Sequence, residues 1–168
     1  MAEDRRPVRF FEILASLLEG NIAFIVVGGV AAVLEGAPVS TFDLDVVYSL
    51  EEENLVRLAG VLVDLDAVYV DPGGRGIRPS ADRLRGGGHH LLRTRHGRLD
   101  VIGSIGDGLA YPDLVPRSRI HNLRGLEVLV LDLETLIASK EAADRPKDRA
   151  VLDLLRHTLS ERQRRGGG

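Results

Sequence analysis

Asp43 and Asp45 stand two residues apart in Phe42-Asp43-Leu44-Asp45-Val46-Val47, and no other stretch constrains the fold as strongly. Its β-branched and apolar residues, with a local period of two, predict a strand. Residues two apart on a strand share a face, so both carboxylates project to one side and Leu44 and Val46 to the other. The fold must therefore supply a sheet with one apolar face and one face that accepts adjacent like charges. Such charges repel and cost desolvation energy. A solvated outer surface accommodates them, and so does a divalent cation held by both carboxylates. Paired oxygen donors suit Mg²⁺, which keeps waters and shares its coordination shell with substrate phosphates.

Upstream, Ile22 to Val27 is a continuous apolar run, which predicts a strand buried on both faces. Gly28-Gly29 follows, and then a helix-forming stretch to Glu35 that ends at Gly36-Ala37-Pro38. A diglycine between strand and helix is a tight turn that exposes backbone N–H groups to a phosphate, or a plain turn. There is no G-x-G-x-x-G and no G-K-[ST], so neither a dinucleotide fingerprint nor a P-loop is supported.

The chain has 168 residues, 44% hydrophobic and 28% charged, which fits one globular domain. We expect that domain to span 1–165, with a flexible tail at 166–168. The net charge of −3 announces no nucleic-acid partner. The absence of cysteine excludes disulfides, thiolate metal sites and cysteine nucleophiles. No apolar leader or membrane-length run is present, which implies a cytoplasmic location without membrane attachment.

Periodicity predicts an opening helix from Pro7 to Glu19, stopped by Gly20-Asn21. Another helix, the third, is expected to begin at Ser49, whose spacing to Glu52 is that of a capping box. Ala67 to Val70 reads as a short strand. The segment 71–88, rich in glycine and carrying Arg75, Arg78, Arg83 and Arg85, reads as a basic binding loop or as a solvated connection with a short helix near Ala81–Leu84. His89 and His90, as strand neighbours, point to opposite faces and are read as structural. Two hairpins follow, His90–Thr94 with Leu99–Ile102 and Arg119–Asn122 with Leu126–Leu131. Asp100 lies inside the second strand of the first hairpin, where a charge is costly unless paired. Asp132 is placed to cap a helix running to about Ala143. A last helix is expected from Pro146, with Val151, Leu154, Leu155 and Leu159 as its core stripe, and 162–168 as a frayed end.

Val27-Gly28-Gly29 through Ser40-Thr41-Phe42-Asp43-Leu44-Asp45-Val46 resembles the first catalytic motif of the DNA polymerase β-like nucleotidyltransferases. Leu136-Ile137-Ala138-Ser139-Lys140 and Asp144-Arg145-Pro146-Lys147-Asp148 resemble the closing motif of small bacterial members related to AbiE-type toxins. The resemblance implies an α/β nucleotidyltransferase fold, a mixed central sheet flanked by helices. It implies a metal-dependent transfer of a nucleoside monophosphate from an NTP to an acceptor hydroxyl on RNA, protein or a small molecule, with Mg²⁺ or Mn²⁺ as cofactor. Asp43, Asp45 and Asp100 would be the catalytic and metal-binding residues. Gly28, Gly29, Ser40, Thr41 and Lys140 would contact the nucleotide. An antitoxin protein would be the partner. One departure stands out: relatives often carry arginine two residues before the threonine, and this chain has Val39. That change supports the alternative of an inactive nucleotidyltransferase-like module that binds a nucleotide or a partner. Lysine is rare here, with Lys140 and Lys147 set against arginine everywhere else, and both fall in the closing motif, where a compact ammonium differs from a guanidinium fork.

Overall fold

The computed structural model describes residues 8–167. The expected helix start at Pro7 and the last tail residue, Gly168, lie outside them. In chain order the elements are α1 (Phe10–Glu19), β1 (Phe24–Val27), α2 (Gly28–Leu34), β2 (Asp43–Tyr48), α3 (Glu52–Asp64), β3 (Val68–Tyr69), α4 (Ala81–Arg85), β4 (His89–Thr94) and β5 (Gly97–Ile102). There follow β6 (Ser104–Ile105), β7 (Leu109–Ala110), α5 (Tyr111–Leu114), β8 (Ser118–Leu123), β9 (Leu126–Leu131), α6 (Leu133–Ala143) and α7 (Arg149–Gly166).

Seven strands form one sheet in the order β3-β4-β5-β2-β1-β9-β8, and β6 and β7 pair separately. The sheet is mixed: β2 runs parallel to β5 and β1 parallel to β9, while the remaining neighbours are antiparallel. Its apolar face carries Leu44, Val46, Leu92, Leu99 and Val101, all buried in one core with Ile13, Leu14 and Leu17 of α1 and Leu55, Leu58 and Leu62 of α3. The side chain alternation of two thus sorts apolar residues to this face and leaves Asp43, Asp45 and Asp100 on the other.

Close approaches explain local choices. A Cβ on Gly20 would lie 2.3 Å from Val61 Cγ2, so α1 ends where α3 crosses it. Glu35, 3% exposed at the end of α2, receives His121 of β8 at 3.1 Å and Arg162 of α7 at 3.6 Å. Arg162 also donates to the Glu35 carbonyl. The expected frayed end is therefore helical to Gly166 and is tied to α2 through Arg162.

Two further expectations are corrected. Helix α3 begins at Glu52, not Ser49, and its N-cap is Glu51 in an extended conformation. Buried Asn54 is the reason: its amide binds Ala23 N and O and Ser49 O at 2.8–3.2 Å, which holds Ser49 as an extension of β2. In α7 the buried residues are Leu152 and Leu155, while Leu154 is 40% exposed. Leu155 is thus buried and Val151 and Leu159 pack against the core as the stripe predicts, with Leu152 in place of Leu154, and a 3-10 turn at Pro146–Asp148 delays the helix to Arg149.

The segment 71–88 is a braced connection. Asp71 accepts from Gly73 and Arg75 backbone N–H and from the Arg75 guanidinium, and the Arg75 hydrogen bonds hold its carboxyl down to about 2. Arg78 pairs with Asp66, Arg85 with Glu52 and Asp82, and Arg83 lies over the Tyr69 ring.

Replacing Asn54 by Ala removes the side-chain partner of the Ala23 N–H and of the buried Ser49 carbonyl, while the Ala23 carbonyl keeps the Ser49 N–H. We expect a loss of about 2–3 kcal/mol in stability, read as a lower midpoint in urea denaturation with an unchanged slope.

Candidate active site

Strand register assembles the site. Asp45 is the direct partner of Asp100 across the parallel β2–β5 pair, and Asp43 is two residues along β2. One carboxylate oxygen from each of the three lies within 4.8 Å of the others. This is the convergence expected of three acidic residues that share a cation.

Confinement changes their acidity. Burial, then the negative charges of Asp100 and Asp43, push the Asp45 carboxyl up to about 8, although Lys140 pulls the other way. Burial also raises Asp100, against the opposing pull of Arg98. Asp45 Oδ1 is buried with no hydrogen-bond partner. An orphaned buried carboxylate oxygen is costly in a protein. A hard divalent cation with oxygen preference is the species that this donor set fits.

The diglycine is shaped by the same crowding. Gly28 has φ +66°, and a Cβ there would sit 2.2 Å from Asp45 Oδ2. A Cβ on Gly29 would sit 2.7 Å from Thr41 Oγ1, and Thr41 itself donates to the Asp43 carbonyl at 3.0 Å. Gly28 opens onto a cavity of about 490 Å³ together with the three aspartates. Gly29, Ser40 and Thr41 do not line it. Thr41 instead buttresses the start of β2, and Ser40 is exposed.

Lys140 lines the opposite wall on α6, with Arg145 and Lys147 beyond it. Lys140 and Arg145 both reach Asp148, at 3.3 and 2.9 Å. Burial raises the Asp148 carboxyl, but these two cations more than offset it and leave the group below the ordinary aspartate range. Ile102, Ile105 and Leu136 give the cavity apolar surface.

Two parts of the site escaped the sequence reading. Strand alternation alone assigns His89 a structural role, yet its Nε2 is 3.6 Å from Asp100 Oδ2 and it lines the cavity. His90 is structural, as expected: it bonds Tyr69 Oη and the Gly87 carbonyl, both at 2.7 Å. The β6–β7 hairpin supplies a wall through Ser104, Ile105 and Gly106. The glycines at 103, 106 and 108 were its available signal. The arginines of 71–88 do not line the cavity, so the basic loop does not face these carboxylates.

No protein-family model matches the chain, and no curated protein matches it in sequence. Solved structures do match in fold. A candidate nucleotidyltransferase of Thermotoga maritima aligns over 95% of this chain and 99% of its own, with TM-score 0.53 and 17% identity. The lincosamide antibiotic adenylyltransferase LnuA, bound to lincomycin, aligns over 88% and 94%, with TM-score 0.58 and 14% identity. ANT(2")-Ia, in complex with adenylyl-2"-tobramycin, aligns over 92% and 89%, with TM-score 0.55 and 16% identity. The chain therefore has the nucleotidyltransferase fold, α/β with a mixed central sheet flanked by helices. Among the described residues no helix is long and apolar enough to cross a membrane.

Two outcomes follow from the crowded carboxylates. With Asp45 at about 8 in the folded, metal-free chain and 3.8 as its ordinary value, folding binds a proton across that interval. Stability falls as pH rises from about 4 to 8 and then levels. Asp45→Asn should weaken this dependence and leave the share that burial of Asp100 contributes. In EDTA the variant's melting temperature should exceed that of wild type by on the order of 10 °C at pH 9, with the gap closing toward pH 4. Gly28→Ala should cost about 1–3 kcal/mol by chemical denaturation and weaken Mn²⁺ binding measured by electron paramagnetic resonance.

Proposed function

We propose that the chain is a metal-dependent nucleotidyltransferase that moves a nucleoside monophosphate from an NTP to an acceptor hydroxyl. The convergence of Asp43, Asp45 and Asp100 within 4.8 Å at the cavity wall carries this reading, and the shared fold supports it.

Asp43, Asp45 and Asp100 would hold Mg²⁺ or Mn²⁺, with the orphaned Asp45 Oδ1 as one ligand atom. The ion, when bound, neutralises the carboxylates and the triphosphate and so favours displacement at phosphorus. Gly28 offers backbone close to the phosphates, because nothing larger fits beside Asp45. Gly29, Thr41 and Ser40 fit a supporting role at the start of β2. Lys140, with Lys147 and Arg145, supplies positive charge on the far wall. Val39 packs partly buried against the core, and these cations offer the charge that it lacks.

The acceptor oxygen forms a bond to the α-phosphorus and gives its proton to the Asp100 carboxylate. The bond from the α-phosphorus to the bridging oxygen breaks, and pyrophosphate leaves with that electron pair. Positioning and charge neutralisation account for the acceleration.

The closing-motif resemblance extends the proposal to an AbiE-like toxin with an antitoxin partner. Both lysine-bearing segments of that motif border the cavity. Antibiotic acceptors are known for two fold neighbours, lincomycin for LnuA and tobramycin for ANT(2")-Ia, so small molecules belong among the acceptors tested.

Each α-³²P-labelled NTP is incubated with Mg²⁺ and with total RNA, total protein or a small-molecule pool. Wild type should label one class. Asp43→Ala, Asp45→Ala and Asp100→Ala should each label it about a thousandfold more slowly, and EDTA should abolish it. Equal labelling by wild type and Asp43→Ala would overturn the proposal.

A further inference from the structure

Strand β4 alternates exposed and buried along its length, with His89, Leu91 and Arg93 on the exposed side. Register sets Leu91 directly opposite Asp100 and Arg93 directly opposite Arg98. Arg98 is in turn opposite Asp43 on β2. The sheet face that bears the three carboxylates therefore continues sideways onto two facing arginines.

Like charges directly opposite on neighbouring strands destabilise a sheet. Only partial compensation is present. Arg98 Nη2 lies 3.4 Å from Asp100 Oδ1, while Arg98 Nε is buried without a hydrogen-bond partner. Among the described residues no carboxylate pairs with Arg93. Asp100, already engaged with two other carboxylates, does not neutralise both guanidinium groups. An incoming anion would relieve the repulsion at the exposed ends of the two guanidinium groups. Planar guanidinium forks match phosphate oxygens in pairs.

Placement tells which anion. Lys140, Arg145 and Lys147 stand on the α6–α7 side of the carboxylates, facing the cavity. Arg98 on β5 and Arg93 beside it on β4 stand on the other flank. A diagonal cross-strand neighbour lies about 7–8 Å away, so Arg93 is within side-chain reach of groups beside Asp100. Leu91, 40% exposed, adds an apolar floor between Arg93 and His89.

We propose that Arg93 and Arg98 form an acceptor subsite that binds a phosphate group of the molecule receiving the nucleotide. The proposal rests on the nucleotidyl-transfer reading of the adjacent carboxylates. The acceptor class is then a phosphorylated compound with a free hydroxyl. A polyamine such as tobramycin is repelled by the same two arginines.

Binding is measured in EDTA without any NTP, by titration calorimetry, so that it is independent of catalysis. The probes are a single-stranded ribo-octamer, ribose 5-phosphate and tobramycin. At least one phosphate probe should bind wild type, and which one binds identifies the source of the phosphate. Arg93→Ala should weaken that binding by about tenfold or more, Arg93→Lys should retain most of it, and tobramycin should not bind. Arg93→Ala should also melt no lower than wild type, since it removes a like-charge pair. In wild type, inorganic phosphate should shift the NMR signals of the Arg93 and Arg98 guanidinium groups. Failure of both phosphate probes, tight binding of tobramycin, or equal affinity of wild type and Arg93→Ala would overturn the subsite. Phosphate binding that is intact in a chain without labelling activity would instead count against the transfer reading alone.

Discussion

Three carboxylates crowded on one sheet face are the constraint on which the site depends. Their mutual repulsion and their burial act in the same direction, so Asp45 holds its proton to about pH 8 in the metal-free chain. The same crowding excludes any side chain at Gly28. An apolar face beneath, with Leu44, Val46, Leu99 and Val101 fully or almost fully buried, keeps the strands from splaying apart under this load. The rigid half of the sheet thus stabilises what the polar half strains.

Buried polar groups then decide how the helices sit. Asp148 and Asp45 make an instructive pair. Burial raises the pKa of each carboxyl. At Asp148 two cations reverse the effect, whereas at Asp45 two further carboxylates add to it. The first arrangement locks α6 to the turn before α7, and the second leaves an unmet demand for positive charge. Glu35 joins α2, β8 and α7 in the manner of Asp148. The chain therefore separates carboxylates that cations already pair from carboxylates crowded against one another. Positive charge is partitioned as well, with lysines and Arg145 on the α6–α7 wall and paired arginines on the β4 flank.

Much of this was legible locally. A period of two put Asp43 and Asp45 on one face, an acid inside an apolar strand singled out Asp100, and Asp132 caps α6 through Thr135 N as its position suggested. What failed did so for identifiable reasons. Ser49 has the spacing of a cap, but Asn54, reaching Ala23, outcompeted it. In the α7 stripe only Leu154 departs, since Leu152 shares the helix face of Leu155 and Leu159 and takes its place. His89 and His90 do face opposite sides, yet only one is structural, since the partner strand sets Asp100 near His89.

By itself the sequence determined which side of each strand carries charge, where the chain must turn, and that glycine follows β1, because these depend on residues a few positions apart. Tertiary structure alone decided that β5 pairs with β2 in the register that sets Asp100 against Asp45, and that Arg93 meets Arg98. Pairing between distant strands is chosen by the burial of whole faces, and a slip of one residue would send every one of these side chains to the opposite side.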